Sequence, residues 1–284
     1  MLPALPYDEV SSDEGFDEVI LIDQNLPGRS PRSNPVTAMK VMDEIRAVFA
    51  GTPEAKLRGY TASHFSFNAD EGRCPTCGGD GRTAFSMQFL ADVTMRCAAC
   101  SGSRYRREVL EVRYRDRSIA EVLDLTVREA FTFFRGHPKV QSRLKRLIDV
   151  GLDYVRLGQP TDTLSGGEFQ RLRLATYISA ARRSRCLFLM DEPTAGLHFS
   201  DLVQLLDCFD SLLAVGHSLI IVDHNLRLVQ AADWVIDLGP GAAEDGGRIV
   251  AAGTPEELMA NPDSVTGPFL RRMLESLPAP EPPS

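Results

Sequence analysis

Leu164-Ser165-Gly166-Gly167-Glu168-Phe169-Gln170-Arg171 opens a helical pattern, and eighteen residues after Glu168 the apolar run Cys186-Leu187-Phe188-Leu189-Met190 leads into Asp191-Glu192-Pro193-Thr194. A second apolar run, Leu219-Ile220-Ile221-Val222, ends in Asp223-His224, and a third, Val235-Ile236-Asp237, follows. The spacing between them predicts helices over 168–182, 200–214 and 225–231. Continuously apolar strands alternating with helices read as a parallel sheet covered by helices, hence an α/β fold.

Upstream, Val19-Ile20-Leu21-Ile22 reads as a further buried strand, and Pro27, Gly28, Pro31 and Pro35 make a loop of the stretch from Asp23 to Pro35. Val41, Ile45, Val48 and Phe49 share one face of a helix that Gly51 and Pro53 stop. Thr126-Val127-Arg128-Glu129 is a capping box opening an aromatic-rich helix, and Gly136 and Pro138 separate it from a second helix through Leu144, Leu147 and Ile148. Downstream come a strand from Arg248 to Ala252, a helix from Pro255 and a Pro-rich end. The expected order is a disordered N-terminus (1–15), the first part of the α/β domain (16–71), a Cys-rich insert (72–117), a helical subdomain (118–163), the rest of the α/β domain (164–275) and a disordered tail (276–284).

The 284 residues suit one or two domains, and a hydrophobic share of 43% excludes a disordered or fibrous chain. The net charge of −8 repels phosphate on average, so any nucleic-acid contact must come from a local basic patch. No apolar run approaches the roughly 18 residues of a membrane span, and Met1-Leu2-Pro3 begins no targeting segment, so a soluble cytoplasmic protein without membrane contact is expected.

Six cysteines are too few for a disulfide scaffold in a chain this long, and four fall in two tight pairs: Cys74-x-x-Cys77, nineteen residues, then Cys97-x-x-Cys100. Each pair presents two sulfurs to one tetrahedral ion, which points to a closed, structural Zn²⁺ site. Gly78, Gly79, Gly81 and Gly102 suit the tight turns around it, and Phe85, Met87, Phe89 and Val93 at period two predict a ribbon standing out from it. Two reduced or redox-active pairs are the competing reading. Arg96, Arg104, Arg106, Arg107, Arg113, Arg115 and Arg117 face only Glu108, Glu111 and Asp116, and with Tyr105 and Tyr114 interleaved this is a composition for phosphate contact and base stacking. A solvated charged face is the alternative.

Ser165, Gly166 and Gly167 at a helix start offer free amides, a positive dipole end and a hydroxyl to a phosphate. Asp191 and Glu192 end a buried parallel strand, where a nucleotide's metal and attacking water are handled: Asp191 is suited to hold Mg²⁺ and Glu192 to orient or deprotonate the water. His224, ending the next strand, is placed to donate to a γ-phosphate.

Together these resemble the ABC-type ATPase set: an LSGG signature including Glu168, a Walker B strand with its glutamate, the D-loop Ala195-Gly196-Leu197-His198 and the switch His224. With the cysteine module ahead of the signature, residues 16–275 are similar to the C-terminal half of the UvrA family of bacterial excinuclease ATPases. Gly28-Arg29, Pro31-Arg32-Ser33-Asn34-Pro35, Arg58-Gly59-Tyr60, Phe65-Ser66-Phe67-Asn68, Asp149-Val150-Gly151-Leu152 and Trp234-Val235-Ile236-Asp237-Leu238-Gly239 carry the likeness further. The resemblance implies a partial ABC ATPase sheet with a helical signature subdomain and an inserted zinc module, and makes Gln24 the Q-loop glutamine. It implies a damage-recognition ATPase of nucleotide excision repair that dimerises with ATP, binds double-stranded DNA carrying lesions and loads a UvrB-like protein.

One departure matters most. No Gly-x-x-x-x-Gly-Lys-Ser/Thr occurs in the 284 residues, so the phosphate-cradling P-loop of that family is missing. The chain is therefore expected to begin inside the second nucleotide-binding domain, without its first strands and without the N-terminal half, and to hydrolyse no ATP alone. ATP and Mg²⁺ would bind only with a P-loop-bearing, UvrA-like partner. The rival readings are a non-enzymatic, zinc-stabilised fragment binding DNA or a partner, and a UvrA-like factor in resistance to DNA-binding drugs.

Overall fold

The computed structural model describes residues 15–22, 30, 32–87, 90–180, 185–239, 241 and 247–276. They fall into two compact units, one of residues 1–190 with 195–220, the other of residues 191–194 with 221–284.

The first unit begins with strand β1 (Glu18–Ile22) and helices α1 (Pro35–Ala38), α2 (Met42–Ala50) and α3 (Pro53–Leu57). The helix expected here is broken once, at Lys40, which takes a left-handed φ of 55°. Asn34 and Thr37 close a capping box on α1, while Val41, Ile45 and Phe49 are fully buried on the face read from the sequence. The Cys-rich insert carries the antiparallel hairpin β2 (Arg82–Met87) and β3 (Leu90–Arg96), so the expected ribbon is present; Phe89 lies outside the described residues.

Helices α4 (Arg107–Leu110), α5 (Ile119–Leu123), α6 (Val127–Phe133) and α7 (Pro138–Asp149) follow. Thr126 caps α6 as expected, its hydroxyl accepting from the Glu129 amide while Glu129 accepts from the Thr126 amide. Helix α8 (Gly166–Ala180) then leads to strand β4 (Cys186–Asp191), helix α9 (Phe199–Ala214) and strand β5 (Ser218–Val222).

The sheet order is β1-β4-β5, with β1 and β4 parallel and Ile20 opposite Phe188. Ile20, Ile22, Cys186, Phe188 and Met190 bury one face of this sheet. The other face is poorly covered: Val19 is 58% and Leu21 46% exposed beside half-buried Leu187 and Leu189, and β5 leaves Ile220 56% exposed. Parallel sheets ordinarily have both faces covered; among the described residues of this unit the second face is only partly covered.

The second unit holds α10 (Leu226–Ala231), β6 (Val235–Gly239), β7 (Arg248–Gly253), α11 (Pro255–Ala260) and α12 (Gly267–Glu275). Here the sequence reading needs correction. Strand β6 does not extend the parallel sheet among the described residues; it pairs antiparallel with β7, Ile236 opposite Ala252. The two strands are too close in sequence for the dozen or more residues that a parallel crossover requires.

Candidate functional site

The four cysteines converge. The sulfurs of Cys74, Cys77, Cys97 and Cys100 all lie within 4.8 Å of one another, three of the residues buried and Cys100 half-buried. Cys77 and Cys100 sulfurs stand 3.7 Å apart, against an edge of about 3.8 Å for a tetrahedron with Zn–S bonds of about 2.3 Å. The residues therefore fit a four-thiolate zinc ion. The Gly81 amide donates to the Cys77 sulfur at 3.2 Å, and backbone bonds from Cys74 to the Arg104 carbonyl and from Cys97 to the Gly81 carbonyl brace the two turns against each other. Gly79 is obligatory: its φ is +94°, and a Cβ would stand 1.9 Å from the Phe67 carbonyl oxygen.

Burial pushes the Cys100 thiol up to about 12 and raises Cys77. Burial also acts on Cys74, but the amides of Cys77 and Thr76 and the adjacent thiols outweigh it and bring that group to about 7. Cys74 is thus poised to ionise, whereas Cys77 and Cys100 gain their charge when a cation arrives, releasing protons.

The arginines expected to meet DNA divide by environment. Arg107 is exposed at the start of α4, and Arg96 is exposed directly opposite Arg82 at the base of the hairpin. Two like charges facing across a ladder repel, and an anion between them would relieve this. Arg82 escapes the sequence reading because it lies outside the arginine run; only the strand register brings it in. Arg106 is exposed but donates through Nε and Nη2 to the Asp70 carbonyl at 3.3 and 3.1 Å. Arg104 is half-buried over the Phe67 ring, 5.2 Å from its centroid, and desolvation lowers its pKa.

The expected stacking role of the tyrosines is overturned. Tyr105 is 1% exposed and donates to the Phe65 carbonyl at 3.2 Å. Tyr114 is half-buried among Phe49, Phe133 and Phe134, with its hydroxyl 2.7 Å from His137 Nε2. Both anchor the core, which an interleaved spacing in sequence cannot distinguish from an exposed stacking platform.

At the signature, Ser165 is the residue before α8, and its hydroxyl accepts from the Glu168 amide at 3.2 Å while the Glu168 carboxylate accepts from the Ser165 amide at 2.7 Å. The Ser165 hydroxyl keeps its own proton to give to a phosphate. Glu168 is turned into this cap and also accepts from the Tyr154 hydroxyl at 2.8 Å, so it shapes the loop. Burial opposes its ionisation, but the Ser165 amide and Tyr154 hydroxyl hold its pKa below the ordinary value. A Cβ on Gly167 would stand 2.6 Å from the Ala195 carbonyl oxygen, so only glycine lets the start of α8 and the loop after β4 approach this closely. Arg171 lies beneath, 2% exposed, its Nε and Nη1 without a hydrogen-bond partner among the described residues.

In the second unit, Asp191 is exposed at the end of β4, and Glu192 turns the chain with a left-handed φ of 47°. Its amide is fixed by the Val222 carbonyl at 2.7 Å. The Glu192 carboxylate and His224 Nδ1 are 3.8 Å apart, and both side chains are well exposed. The acid and the switch histidine expected from the sequence are therefore brought together. Thr194 and Asp223, which the sequence reading passes over, fasten this arrangement. Gln24, the expected Q-loop glutamine, lies outside the described residues.

A parallel α/β sheet, a capped helix opened by Ser165-Gly166-Gly167, a paired glutamate and histidine at the strand ends and an inserted four-cysteine cluster define a mixed α/β segment with a zinc-type module. No family model matches the chain. Curated relatives do: it is 50% identical over 262 residues to UvrABC system protein A of Aquifex aeolicus, covering 92% of this chain and 28% of that protein. It is 51% identical over 270 residues to UvrABC system protein A of Thermus thermophilus, covering 95% and 28% respectively. The crystal structure of UvrA2 from Deinococcus radiodurans matches with a TM-score of 0.82 and 46% identity, over 90% of this chain and 32% of that one. The chain is similar to UvrABC system protein A of these organisms and spans 28% of the length of these two curated relatives.

Proposed function

We propose that this chain supplies the signature, Walker B, switch and zinc-module parts of a UvrA-type damage-recognition ATPase of nucleotide excision repair. A P-loop supplied by a further segment or a UvrA-like partner completes the nucleotide sites. ATP and Mg²⁺ then bind across the join, with Ser165, Gly166 and Gly167 closing over the γ-phosphate at one site. Asp191, Glu192 and His224 serve the other: a bound Mg²⁺ there neutralises phosphate charge, while Glu192 orients the attacking water and His224 donates to the γ-phosphate. The arginines Arg82, Arg96 and Arg107 contact the backbone of double-stranded DNA carrying a lesion, and a UvrB-like protein is loaded in the cytoplasm.

The observation that carries this reading is the partly exposed apolar face of the β1-β4-β5 sheet, where among the described residues Val19, Leu21 and Ile220 stay exposed, in a sequence with no P-loop motif. Such a face is what remains when one layer of a parallel sheet belongs to another segment. The test is to mix the purified chain with a P-loop-bearing segment of a UvrA relative. ATP turnover should appear only in the mixture, and robust turnover by the chain alone overturns the reading.

The second reading, a non-enzymatic zinc-stabilised DNA-binding fragment, draws on the facing pair Arg82 and Arg96. Salt-sensitive DNA binding with no turnover in any mixture would favour it.

A further inference from the structure

We propose that Tyr154 is the positioning residue of the signature loop, transmitting the placement of the helical subdomain to Ser165, Gly166 and Gly167 through Glu168. The residues on either side of it are bound to α6. The Arg128 amide donates to the Asp153 carbonyl at 3.0 Å, Arg128 Nε donates to the Asp153 carboxylate at 2.6 Å, and the Val127 amide donates to the Val155 carbonyl at 2.9 Å. The Leu157 and Gly158 amides continue this seam to the Leu125 and Leu123 carbonyls at 2.9 and 2.8 Å. Tyr154 therefore rides on the helical subdomain, yet its hydroxyl reaches α8.

Packing does not explain the residue, because its side chain is 49% exposed. What the side chain contributes is its hydroxyl, which interacts with Arg171 and donates to the group that forms the signature cap. Glu168 has two carboxylate oxygens: Oε2 accepts from the Ser165 amide and Oε1 from Tyr154, at 2.7 and 2.8 Å. With Oε1 held, the carboxylate cannot rotate away from Ser165. The buried charge of Arg171 interacts with the same hydroxyl and carboxylate. Burial and the neighbouring Glu168 push the Tyr154 hydroxyl up to about 12, so it remains a donor throughout the neutral range. A shift of the 153–158 segment along α6 thus changes how firmly Ser165 is presented, without any residue of that segment touching nucleotide.

This inference rests on reading Ser165 to Gly167 as the edge of a nucleotide site, but its test does not need the nucleotide. Amide hydrogen exchange is measured on the full chain, on Tyr154→Phe, on Glu168→Ala and on the double variant. Tyr154→Phe keeps the ring and removes the hydroxyl, with its bond to Glu168 and its interaction with Arg171. It should speed exchange at Ser165 to Glu168 about tenfold, as expected for a lost bond to a charged acceptor, while α6 and α7 amides and metal content stay unchanged. In the Glu168→Ala background the same change should add nothing. Unchanged exchange in Tyr154→Phe, additive effects in the double variant, or a faster exchange spread over α6 and α7 each overturn the proposal. If the exchange result holds while no mixture with a P-loop segment turns over ATP, the nucleotide reading fails and the positioning role stands.

Discussion

The Thr194 hydroxyl lies 2.8 and 2.7 Å from the two carboxylate oxygens of Asp223, joining the loop after β4 to the loop after β5. The same carboxylate accepts from the amides of Thr194, His224 and Asn225 at 3.1, 2.7 and 2.9 Å. One side chain thus fixes the turn that carries Glu192 and the turn that carries His224. The left-handed Glu192 costs backbone energy, and a clamp of this kind is what holds such a residue in place.

Asp223→Ala should therefore destabilise the second unit by roughly 2–3 kcal/mol, since four donors lose a charged acceptor in a half-buried setting. Thr194→Val should cost less, about 1 kcal/mol, because it removes one donor and leaves the amides capped. Denaturant unfolding with amide exchange at Thr194, His224 and Asn225 measures both. Equal protection in Asp223→Ala and the parent chain would remove the clamp from the account.

Much of this is readable in the sequence where a local rule decides the structure. Cys-x-x-Cys turns, the capping box at Thr126 and the apolar runs of β4 and β5 all rest on contacts within a few residues. What escapes depends on partners far along the chain. Tyr154 finds Glu168 across the 3-10 turn Thr161–Thr163, Asp223 finds Thr194 across a whole helix, and Arg82 meets Arg96 only through the hairpin register. The tyrosines of the arginine run mislead for the same reason: whether Tyr105 faces solvent or core is decided by Phe65 and Phe67, forty and thirty-eight residues earlier.

Metal content offers a direct check on the cysteine centre. One Zn²⁺ per chain is expected, and Cys97→Ser should lower its retention and unfold the hairpin base, because a structural four-thiolate site supplies folding energy outright. Acidification should release the ion as the thiolates take up protons. Metal-free protein with four freely titrating thiols, purified without chelator, would show that the sulfurs converge for another reason.

Asp237 gives the second unit a pH dependence. Burial works against its charge, but the Ser264 hydroxyl, the Thr266 amide and the Thr266 hydroxyl, at 2.7, 2.8 and 2.7 Å, hold its pKa below the ordinary carboxylate value. The unfolded chain then binds the proton more readily. Its contribution to stability is complete above the unfolded value and is lost as pH falls through the folded one. Between neutral pH and about pH 3, Asp237→Asn should show a shallower acid loss of stability than the parent chain. Parallel acid curves for the two proteins would rule this out.

Among the arginines, environment separates charge from packing. Arg107→Ala, with its side chain exposed, should weaken DNA binding across sequences and reduce the salt slope by about one, without changing stability. Arg104→Ala should instead lose about 1 kcal/mol of stability with its contact to Phe67. Titrations at two salt concentrations, paired with thermal unfolding, distinguish them. A stable Arg104→Ala protein that binds DNA poorly would return that residue to the interface.

The catalytic reading makes its sharpest demand on Gly167. An alanine there would place its Cβ 2.6 Å from the Ala195 carbonyl oxygen, a separation that forces the signature and the D-loop apart. In a mixture with a P-loop-bearing segment, Gly167→Ala should cut turnover by about tenfold or more at the site closed by the signature, since loss of about 1.4 kcal/mol of transition-state stabilisation already accounts for tenfold. Ser165→Arg should abolish turnover there by crowding the γ-phosphate. Glu192→Gln should spare that site and affect only the one whose Walker B strand is β4, because in the proposed arrangement the two sets of residues serve different nucleotides. Turnover followed in the mixture with each variant, and with both together, separates the two sites. If Glu192→Gln removed all activity while Gly167→Ala left it intact, the signature would not be the part this chain contributes.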